Sequence, residues 1–416
     1  MHFLREDLPL VSYWRKAVFS KIIFASAVLA APLSALAQNQ TFNPDISLIL
    51  DGRYSAYLDS DDYELPGFML DGEVGVGEQG FSLGHTELLM SANIDDMYFG
   101  KMTAALHSGD EGTEVELEEA YIETLSLGKG ATVKAGRFFS SIGYLNPQHP
   151  HSWDFVDAPL VYQGMFGGTL MDDGVQLRWV APTDLFVQLS AELGRGGHFP
   201  AGGAANEGSG TQGLFVELGG DLGASHSWQL GFSHWQADIA ERSGGGHGHG
   251  DEEGAEVPVF SGDSRVSGVD MVWKWAPKGN SRETNLTFQF EYFQRDEQGL
   301  VELQGAETPE ISDYQGKQQG WYSQLVYQFM PQWRVGARYD RLATNNRGAD
   351  MEVLAEAGLD GEGHTPQRYS VMVDYDRSEF SRLRLQFNRD ESSGRRDDYL
   401  ILQYVMSLGS HGAHSF

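Results

Sequence analysis

Two histidine-bearing segments are where this sequence could do chemistry. Residues 143–164 read GYLNPQHPHSWDFVDAPLVYQG and place His149, His151, Asp154 and Asp157 within nine residues. Imidazole nitrogens and carboxylate oxygens suit zinc and similar divalent ions. His-Pro-His fixes neither ligand number nor geometry, so hydrogen bonds that anchor the segment to its surroundings are the competing role. The second segment, SGGGHGHGDEEGAE at 243–256, sets His247 and His249 just ahead of Asp251, Glu252 and Glu253. Such a tract is a compositional metal-binding signal. Its glycines let the chain wrap an ion but lose entropy in doing so, which keeps affinity modest; a solvated loop tip with incidental histidines is the alternative. His85 and His107 are expected on the inner face or rim of whatever wall carries them. With no cysteine, thiolate metal sites and disulfides are excluded. No serine stands near a histidine in a recognisable catalytic context, so no enzyme is expected.

The elements that position these residues are alternating strands. Leu383, Leu385 and Phe387 alternate with Arg382, Arg384, Gln386 and Asn388. Leu286, Phe288, Phe290 and Tyr292 alternate with Thr287, Gln289 and Glu291, and Leu400, Leu402, Tyr404, Met406 and Leu408 repeat the pattern. Alternation alone does not separate a soluble sandwich from a membrane barrel; the connections do. Short ones at Ile94-Asp95-Asp96, Gly128-Lys129-Gly130, Ala181-Pro182-Thr183, Gly223-Ala224-Ser225, Pro277-Lys278-Gly279, Met330-Pro331-Gln332 and Arg377-Ser378-Glu379 interleave with connections that are mostly longer, such as 59–80, 140–172 and 238–263. Seven tight turns between eight outer loops predict an all-β, transmembrane antiparallel β-barrel of about sixteen strands, with both termini on the periplasmic side. Trp179, Trp228, Trp273, Trp275, Trp321, Trp333, Tyr339 and Tyr399 near strand ends are expected to form interfacial girdles.

Residues 1–37 read as a cleaved signal peptide: Arg15, Lys16 and Lys21 precede an apolar run from Ile22 to Leu33, and Ala35-Leu36-Ala37 gives the cleavage pattern. The barrel is then 38–416. Removing the leader's four Lys/Arg and two Asp/Glu takes the formal charge from −30 to −32. So acidic a chain opposes a nucleic-acid role and favours cations near a pore.

A sixteen-strand barrel holds an aqueous channel unless something folds into it. Residues 139–172, after the fifth strand, are rich in aromatics and prolines and are expected to fold inward as a constriction loop. Arg334 and Arg338 share one parity of the thirteenth strand and Arg382 and Arg384 one parity of the fifteenth, with Asp374 and Glu291 also on inward positions. These six are the expected pore lining; Arg–Asp pairs bracing the wall are the competing role.

The runs LGHTELLMSANIDDMYFG (83–100), EEAYIETL (118–125), KAGRFFSSIGYLN (134–146) and DGVQLRWVAPTDLFVQLSAELGRG (173–196) resemble a family of proteobacterial proteins labelled zinc-regulated outer-membrane receptors, distantly similar to phosphate-selective porins. The receptor label implies a plug domain and a 22-stranded barrel. Neither fits a first strand that starts near Ile46.

The expectation is an outer-membrane, porin-like channel of a Gram-negative bacterium, associated with uptake of zinc or another divalent cation. The alternative is a barrel plugged by its own loop that binds metal or adheres at the surface. No cofactor is required; Zn2+ enters as substrate or ligand. Expected partners are outer-membrane lipid, the barrel-assembly machinery through the terminal Phe416, a homotrimer, and a periplasmic metal-binding protein receiving ions from His411 and His414.

Overall fold

The computed structural model describes residues 44–57, 63–71, 74–75, 77–109, 112–202, 208–244, 257–305 and 310–409. The expected leader 1–37, the His247–Glu253 tract and the tail with His411, His414 and Phe416 lie outside the described residues. Sixteen strands span the wall. They are β1 (Asp45–Ala56), β2 (Thr86–Asn93), β3 (Tyr98–Gly109), β4 (Gly112–Thr124), β5 (Ala131–Phe139), β6 (Met171–Val180), β7 (Phe186–Gly194) and β8 (Thr211–Leu222), followed by β9 (His226–Ser243), β10 (Val257–Trp275), β11 (Asn285–Gln304), β12 (Glu310–Met330), β13 (Trp333–Thr344), β14 (Gln367–Ser378), β15 (Ser381–Asp390) and β16 (Asp397–Gly409). Short strands Gly80–Leu83 and Arg347–Gly348 extend the sheet at its upper rim. Each spanning strand pairs antiparallel with its neighbours, and β1 closes the barrel by pairing with β16 from Ser47↔Gly409 to Ala56↔Leu400. All seven tight turns fall between strands as the sequence predicts. Among the described residues no helix is long and apolar enough to cross a membrane; a closed barrel needs none, because every ladder hydrogen bond is made within the wall.

The outer face is the apolar one. In β15, Leu383, Leu385 and Phe387 are exposed while Arg384, Gln386 and Asn388 are buried inward. Trp321 packs between Phe290 and Tyr339 on the outer face, and Trp333 packs on Tyr375 beside a tight turn. Eight residues along β13 separate Trp333 from Arg341, the register partner of Trp321. At about 3.4 Å per residue and a tilt of about 40° that is roughly 21 Å, close to the apolar band of an outer-membrane barrel. Beyond Trp321 the outward positions turn polar, with Gln294, Asp296, Gln298, Gln315, Lys317 and Gln319, so β11 and β12 project as a collar above the band. This corrects two expectations. The loop expected at 238–263 is shorter, since β9 runs to Ser243 and β10 starts at Val257; above the band the apolar parity inverts, with Trp235, Ala237, Ile239 and Val266 buried inward and His234, Gln236 and Asp238 outward. Tyr399 is not in a girdle but inside, packed on Tyr57.

Inside, several connections meet the wall. Residues 63–71, the constriction loop at 140–170 and helix α2 (Met351–Glu356) join inward wall residues such as Phe293, Tyr322 and Leu342 in one buried apolar cluster. Helix α1 (Leu160–Phe166), within the constriction loop, is buried along its whole length and ends at Gly167 in the left-handed region. Arg295 on β11 donates to the Gly164 and Met165 carbonyls at that end, where a cation is favoured by the helix dipole. Glu291, also on β11, accepts from the Tyr144 and Leu145 amides and from the Tyr162 and Tyr322 hydroxyls. The loop is therefore held by buried polar anchors as well as by apolar contact.

Candidate metal centre

The constriction loop reaches across the lumen and places His149 at the start of a 3-10 turn, Pro150–Ser152, against the wall built by β2, β3 and β4. The Ser152 hydroxyl and amide both donate to the His149 carbonyl (2.7 and 2.9 Å), and the His149 ring packs on Phe139. Opposite stand His85 and Glu87, two positions apart around the start of β2, and Glu118 and Glu119 of β4. Strand parity explains the first pair; a bulge explains the second. The β3–β4 register runs Thr103↔Glu119 and then Ala104↔Leu117, leaving Glu118 as the extra residue, and both glutamates turn into the lumen. His85 is set by the chain entering β2, where the Gly84 amide donates to the Asp51 carbonyl and the His85 amide to the Asp51 carboxylate.

His85, Glu87, Glu118 and His149 each present one donor atom, and the four atoms lie within 4.8 Å of one another. His149 Nδ1 is 3.3 Å from Glu87 Oε2 and 3.5 Å from Glu118 Oε2. His85 Nε2 is 2.9 Å from Glu118 Oε1 and 3.5 Å from Glu87 Oε1. A tetrahedral ion with ligands at about 2.0–2.1 Å needs ligand–ligand edges of about 3.3 Å; the histidine–carboxylate distances are of that order but use opposite oxygens of each glutamate, so one oxygen from each must draw in from a set that lies within 4.8 Å. Glu87 Oε2, Glu118 Oε2 and His149 Nδ1 are buried and meet one another at the ion-pair distances above without a well-directed hydrogen bond; a cation at the point they share would satisfy all three.

Glu119 stands behind the cluster. Its Oε2 lies 2.6 Å from His149 Nε2 and 2.5 Å from Lys101 Nζ. A cation bound there would replace the Nδ1 proton of His149 and leave Nε2–H donating to Glu119, as in carboxylate–histidine–metal arrangements. His151 packs on His149 and sits 2.8 Å from Glu87 Oε1 through Nδ1. Burial alone would lower the His149 pKa; Glu87, Glu118 and Glu119 outweigh it and raise it to about 10. The pocket favours positive charge.

The structure divides the four ligand candidates of the loop. His149 joins the cluster and His151 flanks it. Asp154 instead accepts from Arg334 at 2.9 Å, and Asp157 pairs with Arg338 (3.0 Å) and Arg368 (2.6 Å). Burial raises the Asp157 pKa, but Arg338 and Arg368 bring it down to about 2. Both aspartates anchor the loop in the way the competing role describes. The residues missing from the sequence reading are Glu87, Glu118 and Glu119, while His85 was expected only as a lumen or rim residue. The adjacent pair Glu118-Glu119 in an otherwise alternating strand is the available signal for the bulge.

The six expected pore-lining residues all face inward. Arg334 and Arg382 are partly exposed, the former bonded to Asp374 and Asp154, the latter to Asp376 at 2.8 Å. Arg338, Arg384, Asp374 and Glu291 are buried. Partly exposed Lys134, Arg178, Glu123, Glu217 and Lys274 add a mixed-charge inner wall on the side of the tight turns.

No family model matches the chain. An uncharacterized protein of Aquifex aeolicus (strain VF5) is 32% identical over 410 residues, covering 91% of this chain and 81% of that protein. Among solved structures, OprB of Pseudomonas putida at high pH is similar with a TM-score of 0.53 and 14% identity over 88% of this chain and 94% of that one. The outer membrane channel DcaP of Acinetobacter baumannii gives 0.51 and 13% over 88% and 97%. The trimer form of OmpT, an outer membrane protein of Vibrio cholerae, gives 0.52 and 9% over 88% and 99%. At these identities the likeness is one of fold, the sixteen-strand barrel of outer-membrane porins. The chain belongs to the same family as the uncharacterized Aquifex aeolicus protein and has the outer-membrane porin fold.

Proposed function

We propose that this protein is an outer-membrane channel for small solutes whose constriction binds zinc or a chemically similar divalent cation on its way inward. The convergence of His85, Glu87, Glu118 and His149 carries this reading. A nitrogen-and-oxygen donor set of two imidazoles and two carboxylates suits zinc better than calcium or magnesium, which prefer oxygen alone. The site lies six residues along β2 from the end of the strand at Asn93, roughly 16 Å up the wall at a tilt of about 40°, so an ion there is in the upper half of the apolar band. The mixed-charge wall below it is a water-facing surface that a solute path requires. The resemblance of residues 83–100 and 118–125 to zinc-regulated outer-membrane proteins agrees with this, since those two runs supply His85, Glu87, Glu118 and Glu119. A homotrimer is the expected assembly.

A second reading has its own observation. Trp153, Tyr162 and Phe166 are buried in the cluster inside the lumen, and Phe155 packs against Val326 and Met372. A barrel closed by that core would bind the ion without passing it. Single-channel recording in planar bilayers, with reversal potentials in a salt gradient and micromolar zinc on either side, separates the two. A cation-selective current modulated by zinc supports the channel; a silent barrel that still binds zinc supports surface binding, and an anion-selective current insensitive to zinc overturns both.

A further inference from the structure

The cluster draws its donors unequally from the fold. His85, Glu87 and Glu118 belong to the wall, whereas His149 belongs to the loop. The loop's other polar anchors lie on either side of this point. Before it, the Tyr144 and Leu145 amides bind Glu291 and Asn146 Nδ2 binds the Ser140 and Leu170 carbonyls. After it, Asp154 binds Arg334 and the Val156 amide binds Gln386. Between these anchors, His149 and His151 make the described polar contacts of the tip with the β2–β4 wall, to Glu87, Glu118, Glu119 and Lys101.

We propose that a divalent cation held by His85, Glu87, Glu118 and His149 clamps the tip of the constriction loop, residues 147–153, onto the β2–β4 wall, so that occupancy of the site sets how far the loop narrows the lumen. This rests on the cation-site reading above. A four-donor site exists only while the tip is docked, because one donor arrives with it; docking and cation binding are then linked and each favours the other by the same factor. Without the cation, Glu87, Glu118 and Glu119 crowd three carboxylates into one buried place, met by His85, His149, His151 and Lys101, while Trp153 and the packing of His149 on Phe139 give the tip its apolar contact. With it, that charge is met by an ion fixed to both sides. The same site thereby becomes a sensor as well as a station for the ion.

The test uses the full-length folded protein in detergent micelles. Zinc binding is measured by isothermal titration, and hydrogen exchange is followed by mass spectrometry across 145–155 with zinc sulfate or with a chelator. Pro147 and Pro150 have no amide, so the readout is carried by residues 148, 149 and 151–153. We expect one equivalent of zinc to slow exchange there by on the order of tenfold, within the usual range of coupling between sites, and Glu118→Gln, which leaves the tip's own residues intact, to lose the effect together with the binding. Heat-modifiable gel mobility confirms that the variant barrel is folded, and Glu87→Gln replaces it if it is not. Zinc that binds without changing exchange overturns the clamp and leaves the cation site standing; absence of zinc binding overturns both.

Discussion

Glu118 and Glu119 are consecutive in β4, yet both carboxylates lie inside the barrel, because the register with β3 slips beside Thr103 and leaves Glu118 as the extra residue of a bulge. The bulge gives the two glutamates different tasks. Glu118 faces the shared point with Glu87 and the histidines, while Glu119 holds His149 from behind. Glu118→Gln should therefore weaken zinc binding more than Glu119→Gln, whose cost as an outer partner is expected at about 10–100-fold in affinity. Competition against a chromogenic chelator ranks the two; equal losses would remove the division of roles.

Arg338 is buried between the Asp157 and Asp340 carboxylates at 3.0 and 2.9 Å. Arg338→Met leaves both inside without that guanidinium, although Arg368 still meets Asp157. The expected loss is about 3–5 kcal/mol, read as a lowered urea midpoint for loss of heat-modifiable mobility. A variant as stable as the parent would show that the pair is dispensable.

Acid should loosen the loop through Asp157. Arg338 and Arg368 face this carboxyl, with Asp340, Asp390 and Tyr63 around them, and its pKa is depressed to about 2 in the fold. A depressed acid contributes stability that is complete above its unfolded pKa of about 3.9 and is lost as pH falls from about 4 through 2, worth about 2 kcal/mol here. Emission of the buried Trp153 should report the change in that window. A transition confined to pH above 5 would assign it to other groups.

Gly143 adopts a φ of +65°, and a Cβ there would come within 2.2 Å of Glu291 Oε2. Gly143→Ala combines left-handed strain with a clash against the carboxylate that holds the Tyr144 and Leu145 amides. A cost of about 1–3 kcal/mol is expected, with increased proteolysis inside 140–170 as its sign; unchanged protease resistance would count against the anchor.

The His247/His249 tract should act separately from the lumen. Replacing both histidines by alanine should lower the amount of zinc held at the surface of whole cells while the purified barrel still binds one tight equivalent. Loss of the tight equivalent would place the main site in the outer loop.

The barrel was legible because its signal is strictly local: apolar parity in β15 and β16 and seven short turns determine strand number and orientation. The collar was not, since strands that leave the membrane invert the apolar parity that marks them: Phe232 faces outward, but Trp235, Ala237 and Ile239 of the same strand face inward. Inward folding of 139–172 could be read from its aromatics and prolines, but not which wall each histidine would meet. Asp154 and Asp157 are as close to His149 in sequence as any ligand need be, yet the loop's path carries them to arginines on β13 and β14. Glu87 and Glu118 reach His149 from 62 and 31 residues away, a juxtaposition created by strand pairing and one bulge. Parity counting places Glu118 and Glu119 on opposite faces, so only the folded register brings both inside.

Zinc K-edge X-ray absorption on the purified full-length barrel loaded with one equivalent of zinc reads the donor set at the ion itself. About four nitrogen and oxygen ligands near 2.0–2.1 Å are expected, with outer-shell scattering from two imidazoles that falls to one in His149→Gln and in His85→Gln. A six-coordinate, imidazole-free spectrum, or one unchanged by both substitutions, would contradict the four-donor site.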